Sequence, residues 1–112
     1  MISERDKTYL THMRQAVADI ERYMREVTKE KFEKDDMRRN AVVRLLEVIG
    51  EAARNVSDEC KKNYPDIAWK DSTAMRNFLI HQYFHLDVKS VWDTVRDDLP
   101  LLKREIDKAL DG

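Results

Sequence analysis

Glycine and proline are scarce: two of each in 112 residues, so few positions favour tight turns. Cysteine is scarcer still. Cys60 stands alone, which excludes an intrachain disulfide and suits a reducing compartment. No apolar run approaches the roughly 20 residues of a membrane span. The opening Met-Ile-Ser-Glu-Arg-Asp is polar and unlike a signal peptide, so a cytoplasmic protein with no membrane partner is expected. The formal charge is only -1 and there is no basic tail. A broad polyanion-binding surface is therefore not expected, although this leaves room for a local basic patch. What the chain does have is charge spread along its whole length, 38% of residues, over a regular apolar pattern that argues against disorder. One domain spanning residues 1–112 is expected, large enough to bury a core without disulfides or metals.

The apolar pattern is helical. Leu10, Met13, Val17, Ile20, Met24 and Val27 recur at steps of three and four, predicting a first helix from Ser3 to Val27. Ser3 with Asp6 resembles a capping box, with Asp in place of Glu. A charged connection, Thr28 to Asp36, follows, with Phe32 as its apolar anchor. A second helix is expected from Asp35 or Asp36 to Lys62. Ala41, Leu45, Val48, Ala52 and Val56 mark one apolar face of it, and Val42, Leu46, Ile49 and Ala53 widen that face. So wide a stripe suits a helix covered on more than one side, with a second copy of the chain as one candidate cover. Arg44, Glu47, Glu51 and Arg54 form its polar line. They read either as a solvated face of local ion pairs or as groups standing beside the chemistry described next. Asn63-Tyr64-Pro65-Asp66 stops this helix. Ile67 and Trp69 should plug one end of the bundle. Asp71 or Ser72 can cap a short third helix and Asp87 a fourth, in which Pro100 brings a kink or a new start. No strand pattern competes, so the expected fold is an all-α, antiparallel four-helix-type bundle.

The third helix carries Arg76-Asn77-Phe78-Leu79-Ile80-His81-Gln82-Tyr83. Arginine offers a permanent cation whose planar fork suits phosphate, and histidine a group that gives or takes a proton near neutral pH. RNA supplies its own nucleophile, the 2′-hydroxyl. His81 as general acid or base and Arg76 as stabiliser of the phosphorane would therefore suffice to cut it, leaving a 2′,3′-cyclic phosphate and needing no metal. At about 100° per residue, Arg76 and His81 lie about 140° apart on an ideal helix, whereas Asn77 and His81 stack and Arg76 nearly aligns with Tyr83. Asn77 can thus fix the imidazole tautomer. Arg76 and His81 meet at one phosphate only near a helix end or across a dimer interface. By spacing alone, these residues read more readily as a surface Arg, a partly buried, hydrogen-bonded His and a half-buried packing Tyr.

Several segments, in order, resemble the HepT-like toxins of the HEPN superfamily. They are Ala-Val-Val-Arg-Leu-Leu-Glu-Val-Ile-Gly-Glu-Ala (41–52), Tyr-Pro-Asp-Ile-Ala-Trp (64–69), Met-Arg-Asn-Phe-Leu-Ile-His-Gln-Tyr-Phe (75–84) and Val-Trp-Asp-Thr-Val-Arg-Asp-Asp-Leu-Pro (91–100). The resemblance implies a homodimer with an RNA-cleaving cleft at its interface, Arg76 and His81 as catalytic pair and Asn77 in support. It also implies a partner, a minimal nucleotidyltransferase antitoxin of the MntA type that transfers AMP to the motif tyrosine, Tyr83. Gln82 stands where many relatives carry glycine. Leu45 stands where they often carry a polar residue, which weakens the expectation that the second helix contributes to the cleft. The alternative function is a non-catalytic helical partner of the transferase.

Other residues carry less. His81 and His85 have a spacing that a metal could use, but only Asp87 offers a third ligand, so neither metal nor cofactor is expected. His12 sits among polar neighbours and should face solvent. Cys60 reads as a bystander, Lys61, Lys62 and Lys70 as a solvated end or a basic rim, and Trp69 and Trp92 as core.

Overall fold

The structure, a computed structural model, describes residues 2–81 and 87–111, except the side chains of 78–81. Among the described residues seven α-helices follow in order: α1 (Glu4–Tyr23), α2 (Lys29–Lys34), α3 (Asp36–Asn55), α4 (Asp58–Asn63), α5 (Trp69–His81), α6 (Val88–Asp93) and α7 (Leu99–Asp111). A π-helical turn, Thr94–Asp98, joins the last two. Four rods make the bundle, namely α1, α3, α5 and the α6–α7 pair, and no strand occurs among the described residues. The central rod, α3, packs on both α1 and α5, while α1 also packs on α7. Cross-links give the directions. Asp6 near the start of α1 meets Ser57 just past α3, and Arg38 near the start of α3 reaches the carbonyl of Tyr23 at the end of α1. Likewise Arg14 pairs with Asp107 and Asp111, and Glu21 with Lys103. Both pairs of rods are therefore antiparallel. The core is the apolar stripe read from the sequence: Leu10, Met13, Val17 and Ile20 of α1 against Val42, Leu46 and Ile49 of α3 and Ile106 of α7.

The boundaries differ from expectation in four places, each for a local reason. The first helix ends at Tyr23 rather than Val27, in a turn where Glu26 takes a left-handed φ of 61°. The charged connection contains α2, capped by Thr28, whose hydroxyl accepts from the Lys31 amide. Phe32 anchors it as expected, fully buried, with its ring 5.7 Å from that of Trp92. The second helix does not run on to Lys62. Val56 and Ser57 are extended, and Ser57 caps a separate α4 through the amide of Cys60. The third helix starts at Trp69, before Asp71 and Ser72, with the Trp69 indole donating to the Tyr64 carbonyl at 2.9 Å. Ile67 and Trp69 are both buried.

Of the two expectations for Pro100, the structure gives the new start: α7 begins at Leu99. Proline has no amide hydrogen, and in a regular helix its ring would strike the carbonyl four residues back. The π turn widens the helix just ahead of it: the Leu99 amide donates to Thr94, five residues back, and α7 then carries Pro100 at its second position. Asp87 caps α6 as the sequence suggests, through the amide and hydroxyl of Ser90.

The break at Ser57 depends on Asp6. Ser3 caps α1 by accepting from the Asp6 amide, which is half of the expected box. The Asp6 carboxylate instead accepts from the Ser57 amide at 2.9 Å and its hydroxyl at 2.6 Å. This buried carboxylate is the reason the chain can leave helix there, since it satisfies the backbone donor that a continuous helix would have used. Burial pushes the Asp6 carboxyl up. Hydrogen bonds from Ser57 and Ser3, with the charge of Arg5, outweigh burial and hold it below its ordinary 3.8. A depressed folded-state pKa gives stability that is present above the unfolded value and lost as pH falls through the folded one. Asp6→Asn should therefore cost about 1–3 kcal/mol near neutral pH, with the two proteins converging as the solution is acidified below about pH 4. Urea titrations across that range check this, and a gap independent of pH would contradict it.

Candidate functional site

Two helices build the site, and a missing side chain sets their separation. Gly50 lies inside α3, more than a turn from its end, where glycine costs about 1 kcal/mol relative to alanine. A Cβ there would stand 2.2 Å from the Cβ of Arg76 and 2.6 Å from the backbone oxygen of Ser72. Neither clash is with the far end of a flexible chain. Gly50 is therefore what lets α5 lie against α3 at this level, with the base of Arg76 pressed on the α3 backbone.

From that position the guanidinium reaches across the junction. Its Nη2 pairs with Glu51 of α3 at 3.1 Å, and its Nη1 donates to the Asn77 side-chain oxygen at 2.9 Å. The Arg76 side chain is 26% exposed and that of Glu51 49%, so the pair touches solvent. Glu51 is held in turn by Asn55, whose side-chain amide donates to the Glu51 backbone oxygen at 2.8 Å and its carboxylate at 3.4 Å. A guanidinium has five donors in one plane. Fixed at two nitrogens by groups from two helices, it is a preorganised cation that can take a phosphate oxygen.

The polar line of α3 thus divides. Arg44 and Glu47 pair with each other along the helix, as a solvated face would. Glu51 stands at the arginine, despite the apolar Leu45 earlier in the helix. Arg76, Asn77 and Glu51 are brought together. His81 is the last residue of α5, with its side chain outside the described residues, and Tyr83 and His85 lie outside the described residues altogether. The sequence reading missed Gly50, whose signal was its rarity: one of two glycines, inside an apolar helical pattern. His12 is exposed, with its ring edge-on to Tyr9. Cys60 is buried, and burial, with Asp6 and Glu59 nearby, pushes its thiol up, away from reactivity.

A separate cleft of about 310 Å³ opens between α3, the start of α5 and α7, floored by Leu46, Ile49 and Leu102. Asp66, Asp71 and Asp98 line it. Burial raises the Asp98 carboxyl, as do Asp97, Asp71 and Asp93 around it. So acidic a mouth repels a polyanion.

Comparison with known proteins bears on the family. A family profile described as "Ribonuclease HepT-like" matches residues 13–109. The chain belongs to the HepT-like family. It is 41% identical over 102 residues to a Thermococcus cleftensis protein named "Probable ribonuclease HepT", covering 91% of this chain and 93% of that one. A Methanocaldococcus jannaschii protein named as a candidate RNase is 34% identical over 107 residues, covering 95% and 98%. Another, from Caldanaerobacter subterraneus, is 32% identical over 104 residues, covering 93% of each. No solved structure gives a significant match. No helix among the described residues is long and apolar enough to cross a membrane.

The Gly50 contact is directly testable. Gly50→Ala should destabilise the protein by about 1–2 kcal/mol, because overpacking a tight contact outweighs the better helix propensity of alanine. The midpoint of denaturant unfolding measures this, and a more stable variant would contradict the close approach.

Proposed function

We propose that this HepT-like chain, one domain over its whole length, is a metal-independent RNA endonuclease and the toxin of a cytoplasmic toxin–antitoxin pair. The observation that carries the reading is Arg76: an accessible guanidinium, fixed by Glu51 and Asn77, at the motif position that the family resemblance marks as catalytic. The chemistry follows from the residue types. A general base removes the proton of the RNA 2′-hydroxyl, and the oxygen attacks the adjacent phosphorus. Negative charge builds on the non-bridging oxygens, where the Arg76 cation stabilises it. A general acid then protonates the departing 5′-oxygen, leaving a 2′,3′-cyclic phosphate and a free 5′-hydroxyl. His81 takes the proton-transfer role. In a homodimer, two copies of the motif at one interface would let separate histidines act as base and acid. Asn77 gives its carboxamide oxygen to Arg76, so its NH₂ remains the group to orient the imidazole.

The same reading assigns the control. A minimal nucleotidyltransferase partner brings ATP. The Tyr83 phenol oxygen attacks the α-phosphorus, pyrophosphate leaves and the phenolic proton is lost. The attached AMP places bulk and a negative charge in the motif, which blocks an incoming RNA phosphate.

Expression of the wild type should arrest growth and cleave RNA. Arg76→Ala should reduce cleavage on the order of 10²-fold and His81→Ala by about 10²–10⁴-fold, both remaining folded. Equal toxicity of all three would sink the reading. Purified dimer that binds the transferase but leaves RNA intact would support the alternative, a non-catalytic helical partner. Co-expression with the transferase should add one or more AMP units, seen by intact mass. A shift that persists in Tyr83→Phe would count against Tyr83.

A further inference from the structure

We propose that Glu51 is a positioning residue for Arg76, which fixes the guanidinium for the transition state while holding back ground-state phosphate binding; this rests on the ribonuclease reading above. Three observations carry it. First, the Glu51–Arg76 pair joins two helices, whereas the neighbouring Arg44–Glu47 pair lies along one. Second, the Glu51 carboxylate is itself held, by Asn55 one turn on, so that Asn55, Glu51, Arg76 and Asn77 form one chain of polar contacts across the α3–α5 junction. Third, Glu51 directly follows Gly50, the residue whose missing side chain brings Arg76 within reach.

The electrostatic consequence is a trade between binding and rate. A carboxylate 3.1 Å from the guanidinium offsets much of its attraction for a singly charged phosphodiester. As the phosphorane forms, charge grows, and a cation already held in place stabilises it without reorganising. Removing the carboxylate charge strengthens attraction for the resting phosphate and loosens the guanidinium. A merely structural ion pair would change neither quantity in that divided way.

The test uses the full chain and an RNA oligonucleotide, in cleavable form and in an uncleavable 2′-O-methyl form, with wild type, Glu51→Gln and Glu51→Ala. Both variants should bind the uncleavable oligonucleotide about 2- to 5-fold more tightly, in keeping with a partly exposed charge pair. In cleavage, kcat should fall on the order of ten-fold for Glu51→Ala. It should fall less for Glu51→Gln, whose amide oxygen still accepts from the guanidinium. Unchanged or weaker binding in the variants overturns the proposal, as does an unchanged kcat in Glu51→Ala. Parallel loss of binding, rate and thermal stability overturns it too, since that is what a structural role gives. A wild type that leaves RNA intact overturns the ribonuclease reading itself, whereas the binding arm still decides whether Glu51 restrains Arg76.

Discussion

Where α3 and α5 cross, two backbones approach at a point with no side chain between them. A Cβ at Gly50 would stand 2.2 Å from the Cβ of Arg76, well inside any van der Waals contact. Much follows from this one steric constraint. It seats the base of Arg76 on α3 and so brings the guanidinium to the carboxylate of the next residue, Glu51. It leaves the helix with a residue of poor propensity, so burial of Ile49, Ala52 and Ala53 around the glycine has to offset that cost. An interior helical glycine in a chain with so few is a position where backbone approach matters more than propensity.

The rest of the bundle holds α3 in place for that contact. At one end the Asp6 carboxylate binds the amide and hydroxyl of Ser57 and so fixes where α3 stops. At the other, Asp35 caps the helix and Arg38 and Arg39 reach back to carbonyls of Tyr23 and Phe32. The π turn before Pro100 joins α6, which packs on α2, to α7, which packs on α1. Electrostatics then distinguishes two regions: the cleft edged by Asp66, Asp71 and Asp98 is hostile to a phosphate chain, whereas the α3–α5 junction presents the Arg76 guanidinium.

The helical periodicity made the class of fold and the core legible in the sequence, because Leu10, Met13, Val17 and Ile20 can share a face only at helical spacing. Asp87 was legible as a cap for the same kind of local reason. The break at Ser57 was hidden, since the apolar steps run through Val56 to Cys60 and the group that stabilises the break, Asp6, is 51 positions away. The new start at Pro100 was legible as one of two readings, but the π turn that precedes it was hidden, because an apolar pattern running into a proline does not show how the backbone adjusts ahead of it. At the site, Arg76 and Asn77 were visible as residue types at a spacing. Glu51 could be placed only as one member of a polar line, because which of its charges meets α5 depends on how closely two helices pack. The HepT-like resemblance supplied roles for His81 and Tyr83 that spacing by itself does not.

The central claim is that Arg76, seated by Gly50 and held by Glu51, contacts a phosphate of bound RNA. The salt dependence of binding an uncleavable single-stranded RNA tests it most directly. Each phosphate neutralised contributes about 0.7 to the slope of log affinity against log salt concentration. Arg76→Ala should weaken binding and lower that slope by about 0.7. A slope identical to that of the wild type would show that Arg76 touches no phosphate, and would contradict the account.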